Sequence, residues 1–192
     1  MSFADGKANF LVDKGQEQYL ATVLRRAIAG TQQLLNEGEK LIEVEFVADR
    51  KSDLSLSETL DTTLQFSYEF VKVFKGEGEN LWVVLPDKKE VSLARKRWGE
   101  TLPFTLTSID SVAETKPAMQ PALMVVCSPG FNIDEYINLV KAVAQAGQPP
   151  VVVINGNLDR LRNGYYPSFF YPGLARVSKE YFSQAVQVCP PG

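Results

Sequence analysis

Two spacings of apolar residues alternate along the chain. Tyr19, Leu20, Val23, Leu24, Ala27, Ile28, Leu34 and Leu35 recur every three or four positions, which predicts one face of a helix closing near Gly38. Arg25 and Arg26 lie off that stripe and read as solvated, and Asp13 with Gln16 fits a capping box at its start. Leu41 to Phe46 switches to alternation, with Ile42, Val44 and Phe46 on one face and Glu43 and Glu45 on the other. That pattern predicts a strand with one wet or ligand-facing side. After a polar loop from Ala48 to Asp53, a box of Ser55 and Glu58 opens a second helix, striped by Leu56, Leu60, Leu64, Tyr68, Val71 and Phe74 and ended by Gly76 and Gly78. Leu81 to Leu85 is apolar throughout, as in a strand covered on both faces.

Asp87 and Glu90 open a third, strongly basic helix with Val91, Ala94 and Trp98 inward; its lysines and arginines read as a solvated face. Leu102 to Thr107 suits an edge strand, because Pro103 lacks a ladder donor. Ser111 to Pro121 reads as a loop. A buried strand, Ala122 to Cys127, then leads to a box of Asn132 and Glu135 and a helix striped by Ile133, Tyr136, Ile137, Val140, Val143 and Ala144. The apolar strand from Pro149 to Ile154 follows. Two buried strands joined by a helix call for a right-handed crossover and parallel pairing. The expected class is therefore α/β, a mainly parallel sheet with helices on both faces in Rossmann-like layering. A short helix over Leu174 to Tyr181 and a last strand starting at Val186 complete the pattern. Residues 1–12 read as an arm and residues 13–192 as a single domain, with truncation at its C-terminal end expected.

Composition narrows the chemistry more than the fold. The 192 residues are 45% hydrophobic and 22% charged, values of a folded chain able to bury a core unaided. A net charge of -3 gives no general attraction to nucleic acid or anionic lipid. There is no histidine, which removes the usual general base and the usual zinc ligand, so neither a metal nor a cofactor is expected. Cys127 ends an apolar run and reads as a small core residue; a disulfide to Cys189 remains open, and a reducing compartment is the simpler reading. No apolar run approaches the ~18 residues of a membrane span.

Candidate chemistry gathers in the two loops that follow the best parallel strands, where open α/β sheets collect ligands. Ser128, Gly130 and Asn132 precede a helix and resemble an anion-binding corner, although no Walker lysine or dinucleotide glycine spacing accompanies them. In the second loop Asn155 and Asn157 offer amide groups, and Arg160 and Arg162 offer planar forks for carboxylate or phosphate. Asp159 pairs with an arginine or caps a turn. Tyr165, Tyr166, Phe169 and Phe170 are dense for a loop, with Pro167 and Pro172 stiffening it. They form either a lid folded onto the core or an exposed aromatic and arginine patch of the kind that anchors interfaces. No base is placed for nucleophilic catalysis by Ser128 or Cys127, and no catalytic residue is assigned.

The run from Val153 to Pro172, VINGNLDRLRNGYYPSFFYP, resembles one family closely. It is similar to the Low PSII Accumulation protein family, the DUF1995 domain of plants, algae and cyanobacteria, whose pattern is close to N-G-x-L-D-R-x-R-x-G-Y-Y-P-x-F-F-Y-P. Arg26 to Ile28 and Leu41 to Phe46 also resemble the family's opening helix and strand. The resemblance implies a non-enzymatic photosystem II assembly factor in the chloroplast stroma, peripheral to thylakoids, or cytoplasmic in a cyanobacterium. Implied partners are a chlorophyll-binding antenna subunit, other assembly factors and the thylakoid insertase, and no nucleic acid is expected. The family has no established catalytic residues to carry over. Family members continue past the last helix with a strand and a further segment, which is why truncation is expected here. The alternative reading is a small-molecule binder or enzyme for a phosphorylated or nucleotide ligand at the two strand-end loops.

Overall fold

A computed structural model describes residues 14–47, 55–114, 117–130 and 132–188. The Asp13 half of the first capping box, the N-terminal arm and Cys189 lie outside these residues. Six strands, β1 (Leu41–Val44), β2 (Leu81–Leu85), β3 (Thr105–Ser108), β4 (Leu123–Cys127), β5 (Val151–Ile154) and β6 (Val186–Val188), form one sheet in the order β3-β2-β4-β5-β1-β6. Every pairing is parallel. This is the α/β architecture that the alternating spacings predict.

Among the described residues seven α-helices accompany the strands, α1 (Lys14–Asn36) ahead of β1 and the others after it: α2 (Leu56–Val71), α3 (Lys88–Trp98), α4 (Ile109–Glu114), α5 (Ile133–Gln145), α6 (Leu158–Arg162) and α7 (Pro172–Glu180). A right-handed crossover places its helix on one face when the chain moves toward one edge of the sheet, and on the opposite face when it moves back. The chain moves toward β3 through α2 and α3, then returns through α4, α5 and the α6–α7 pair. The core divides accordingly. Side chains of α1, α2 and α3 pack on Ile42, Val44, Val83, Val125, Val152 and Ile154. Those of α4 to α7 pack on Trp82, Val84, Met124, Val126, Val151 and Val153.

Local signals set most boundaries. Ser55 and Glu58 form the complete reciprocal box at α2, and Asp87 caps α3 by accepting from the N–H groups of Lys89 and Glu90. Asn132 accepts from Asp134 N–H, but its expected partner Glu135 turns elsewhere. The buried face of α2 includes Phe66 and Phe70 as well as Leu64 and Val71 of the predicted stripe, and Phe66 stacks on Phe46 at 3.9 Å. A 3-10 segment, Lys72–Asn80, carries the chain from α2 into β2. The basic α3 is largely solvated, with Arg97 paired to Asp61 at 2.6 Å. Two short helices replace predicted loop: α4 occupies the start of the 111–121 segment, and α6 lies within the loop after β5. The edge strand begins at Thr105, beyond Pro103. Cys127 is a free, buried thiol, pushed up to about 12 by burial, as a core residue should be.

Candidate functional site

Two pairs of interior neighbours send their crossovers to opposite faces, β2 with β4 and β5 with β1. A crevice opens where the two connections part, at the carboxyl ends of the strands. Both loops singled out by sequence lie at these places.

At the β5/β1 crossover the protein fills the crevice with its own polar groups. Asn155 takes a left-handed backbone (φ 48°), a conformation that asparagine tolerates better than most residues. Its Oδ1 accepts from Phe46 N–H at 2.9 Å, and its Nδ2 donates to Thr63 Oγ1 at 3.2 Å. One amide thus ties β5 to the end of β1 and to α2. Asn157, also left-handed, donates its backbone N–H to Glu45 Oε1 at 2.6 Å. Tyr136 reaches over from α5 and donates its hydroxyl to Gly156 O at 2.7 Å.

Beneath these contacts lies an ion pair whose acid is buried and whose arginine is partly exposed. Glu43 is completely buried, because α6 covers the face of β1 that the alternation left polar. The expected wet strand face is therefore corrected: its acid is internal and has a dedicated partner. Arg162 Nη2 donates to Glu43 Oε2 at 2.6 Å and to Asp159 Oδ1 at 2.6 Å. Glu43 Oε1 accepts no hydrogen bond among the described residues. Burial pushes the Glu43 carboxyl up, opposed by the Arg162 guanidinium. Burial likewise raises Glu45 to about 7, against the Asn157 N–H that favours its charged form.

The aromatic run then projects from this platform. Tyr165, Phe169, Phe170 and Tyr171 are 67%, 87%, 71% and 39% exposed, which excludes a lid over the core. Only Tyr166 is half-buried, packed against the core between Tyr165 and Tyr171 in edge-on contacts at 5.0 and 5.8 Å. Phe169 and Phe170 make their own edge-on pair at 5.3 Å. The N–H groups of Phe170 and Tyr171 both donate to Pro167 O, so the turn satisfies its backbone internally. Arg160 is exposed with its guanidinium 5.6 Å from the Tyr165 ring centroid, a cation–π contact. The sequence-predicted residues therefore separate by role. Arg160, Tyr165, Phe169 and Phe170 make a surface, while Asn155, Asn157, Asp159 and Arg162 hold it in place and Tyr166 fastens it to the core.

The β2/β4 crossover is built differently. A cleft of about 290 Å³ is lined by Leu60, Thr63, Leu64, Leu85, Pro86, Asp87, Glu90, Cys127, Ser128 and Glu135. Gly130, with φ 111°, turns the loop so closely over Tyr136 that a Cβ there would overlap the Tyr136 hydroxyl. Its N–H donates to Glu135 Oε2 at 2.7 Å. The corner formed by Ser128, Gly130 and Asn132 is thus present, but its donors already hold two internal oxygens, Glu135 Oε2 and Asn132 Oδ1. The lining acids also have the wrong sign for an anion. Sequence reasoning missed Asp87, Glu90 and Glu135 as a group. The available signal was that each stands at the start of a helix following a parallel strand, hence at one end of the sheet.

The model of a family described as a domain of unknown function, DUF1995, matches residues 18–188. The chain belongs to the DUF1995 family. Its matched region spans every strand and both crossovers of this DUF1995 domain. No curated protein and no solved structure matches it. Among the described residues of the domain, no helix is long and apolar enough to cross a membrane, and no cluster of three acidic or sulfur ligands is placed to hold a metal.

Proposed function

We propose that this DUF1995 domain is a non-enzymatic photosystem II assembly factor, which binds protein through the aromatic projection after β5. The observation that carries the reading is the exposure of Tyr165, Phe169 and Phe170 beside Arg160 on a turn anchored by buried polar contacts. Rigid aromatics with an adjacent arginine supply contact area at low entropic cost, the composition of binding hot spots. The resemblance of the projection to the Low PSII Accumulation pattern supports the biological setting, and membership of a family of unknown function is compatible with it. In that setting the partner is a chlorophyll-binding antenna subunit or the insertase that delivers it, met at the stromal face of the thylakoid.

The test is capture of the antenna subunit from solubilised thylakoid membranes. Replacing Arg160, Tyr165, Phe169 and Phe170 together with alanine is expected to abolish capture and leave thermal unfolding unchanged. Arg162 is kept, because its loss would strand the buried Glu43. Undiminished capture by the folded quadruple variant would overturn the proposal. The rival reading, a phosphorylated or nucleotide ligand at the strand ends, has the acids of the β2/β4 cleft against it.

A further inference from the structure

The open crossover and the projection are separate regions, and the cleft has a chemistry of its own. Its walls are of two kinds. Leu60, Leu64, Leu85 and Pro86 provide an apolar side, and Asp87, Glu90 and Glu135 provide carboxylates. Two of those acids have internal work: Asp87 caps α3, and Glu135 holds Gly130 N–H. The Glu90 carboxylate receives no hydrogen bond or salt bridge from the described residues. Burial raises its carboxyl, with Asp87 and Asp61 adding like charge and only Arg97 opposing them. Among the described residues no lysine or arginine lines the cleft. A half-buried acid of this kind, beside an apolar wall in a crossover crevice, lacks a cation.

We propose that the β2/β4 cleft is a binding site for an organic cation, an alkylammonium or guanidinium head on a short apolar stem. The stem lies against Leu60, Leu64, Leu85 and Pro86, and the head meets Glu90 with Asp87 and Glu135 beside it. The cleft's volume suits a single side chain or a small free amine, not a nucleotide. The same chemistry has two sources, a lysine or arginine side chain presented by a polypeptide and a free amine.

Nitrogen-15-labelled full chain is titrated with n-butylammonium, with the tripeptide Gly-Lys-Gly and with inorganic phosphate, all at matched ionic strength. Saturable shifts of the Leu85, Cys127 and Ser128 amides are expected with the cations and not with phosphate. Glu90→Gln is expected to weaken the cation about fivefold, the factor for loss of roughly 1 kcal/mol of ion pairing. Leu60→Lys, which brings an ammonium of its own to the cleft wall, is expected to remove the response. Tighter binding of the tripeptide assigns the site to a polypeptide side chain, and binding of butylammonium alone assigns it to a free amine. Absence of a saturable response to either cation, an equal response to phosphate, or unchanged affinity in Glu90→Gln overturns the proposal.

Discussion

The β5/β1 and β2/β4 crossovers occupy equivalent places in the sheet and are finished in opposite ways. At the first, Asn155, Glu43, Arg162 and Asp159 fill the crevice and the chain beyond it stands out as an aromatic projection. At the second, the turn is short, the loop folds back on Tyr136, and the crevice stays open with acids on its wall. A filled crevice makes a rigid mount, whereas an open one makes a receptor. The fold alone therefore does not say where a parallel sheet binds its ligand, because the side chains that occupy each crossover decide it.

The largest effect expected from breaking this contrast lies at the ion pair. Arg162→Ala leaves Glu43 buried without its cation and is expected to cost about 3 kcal/mol, read as a lower urea midpoint with unchanged slope. Adding Glu43→Gln should return part of that loss. A cost below about 0.5 kcal/mol would show that the filled crossover is not held by this pair. Next in size is Asn155→Ala, which removes two tertiary hydrogen bonds and strains a left-handed position, for about 2 kcal/mol. Ser128→Ala, at the open crossover, should stay within about 0.5 kcal/mol.

The third concerns pH. Glu45 is raised from 4.5 to about 7 in the fold, so the native state holds its proton more tightly than the unfolded chain. The stability this contributes is present below the unfolded value and is lost as pH rises through about 7. Glu45→Gln keeps an acceptor for Asn157 N–H and removes the charge. It should raise stability by about 1 kcal/mol at pH 8 and change little at about pH 4, below the unfolded value of 4.5, where the Glu45 carboxyl is mostly protonated in both states. An equal gain at both values would mean that charge is not the cause. The smallest effect is expected from Phe169→Ala and Phe170→Ala, within about 0.5 kcal/mol by thermal unfolding, because both rings are largely in solvent. A larger loss would make the projection part of the core.

Much of this was legible in the sequence, for a physical reason. Residues that bury a stripe or a strand repeat at the period of their element, so the long helices and the apolar strands announce themselves. Helices α4 and α6 are six and five residues long, too short to show a period. In α6 only Leu158 and Leu161 face inward, behind an Asn-Gly-Asn that reads as a turn. Glu43 was misread because a polar residue in an alternating strand normally faces water, and its partner lies 119 positions away. The aromatic run was visible as a motif, but exposure depends on what packs against it, and only the fold decides that. The acids of the cleft were read one by one as helix caps, and their convergence at one edge needed the strand order.

That strand order also governs when the sheet can form. β1 is flanked by β5 and β6, and Leu41 lies opposite Val151. On a ribosome adding ~5–20 residues per second, β1 would wait roughly 5–20 s for its first neighbour. Throughout that interval α1 and β1 expose apolar surface and unpaired backbone. Completion of one half of the molecule is thus timed by synthesis of the other.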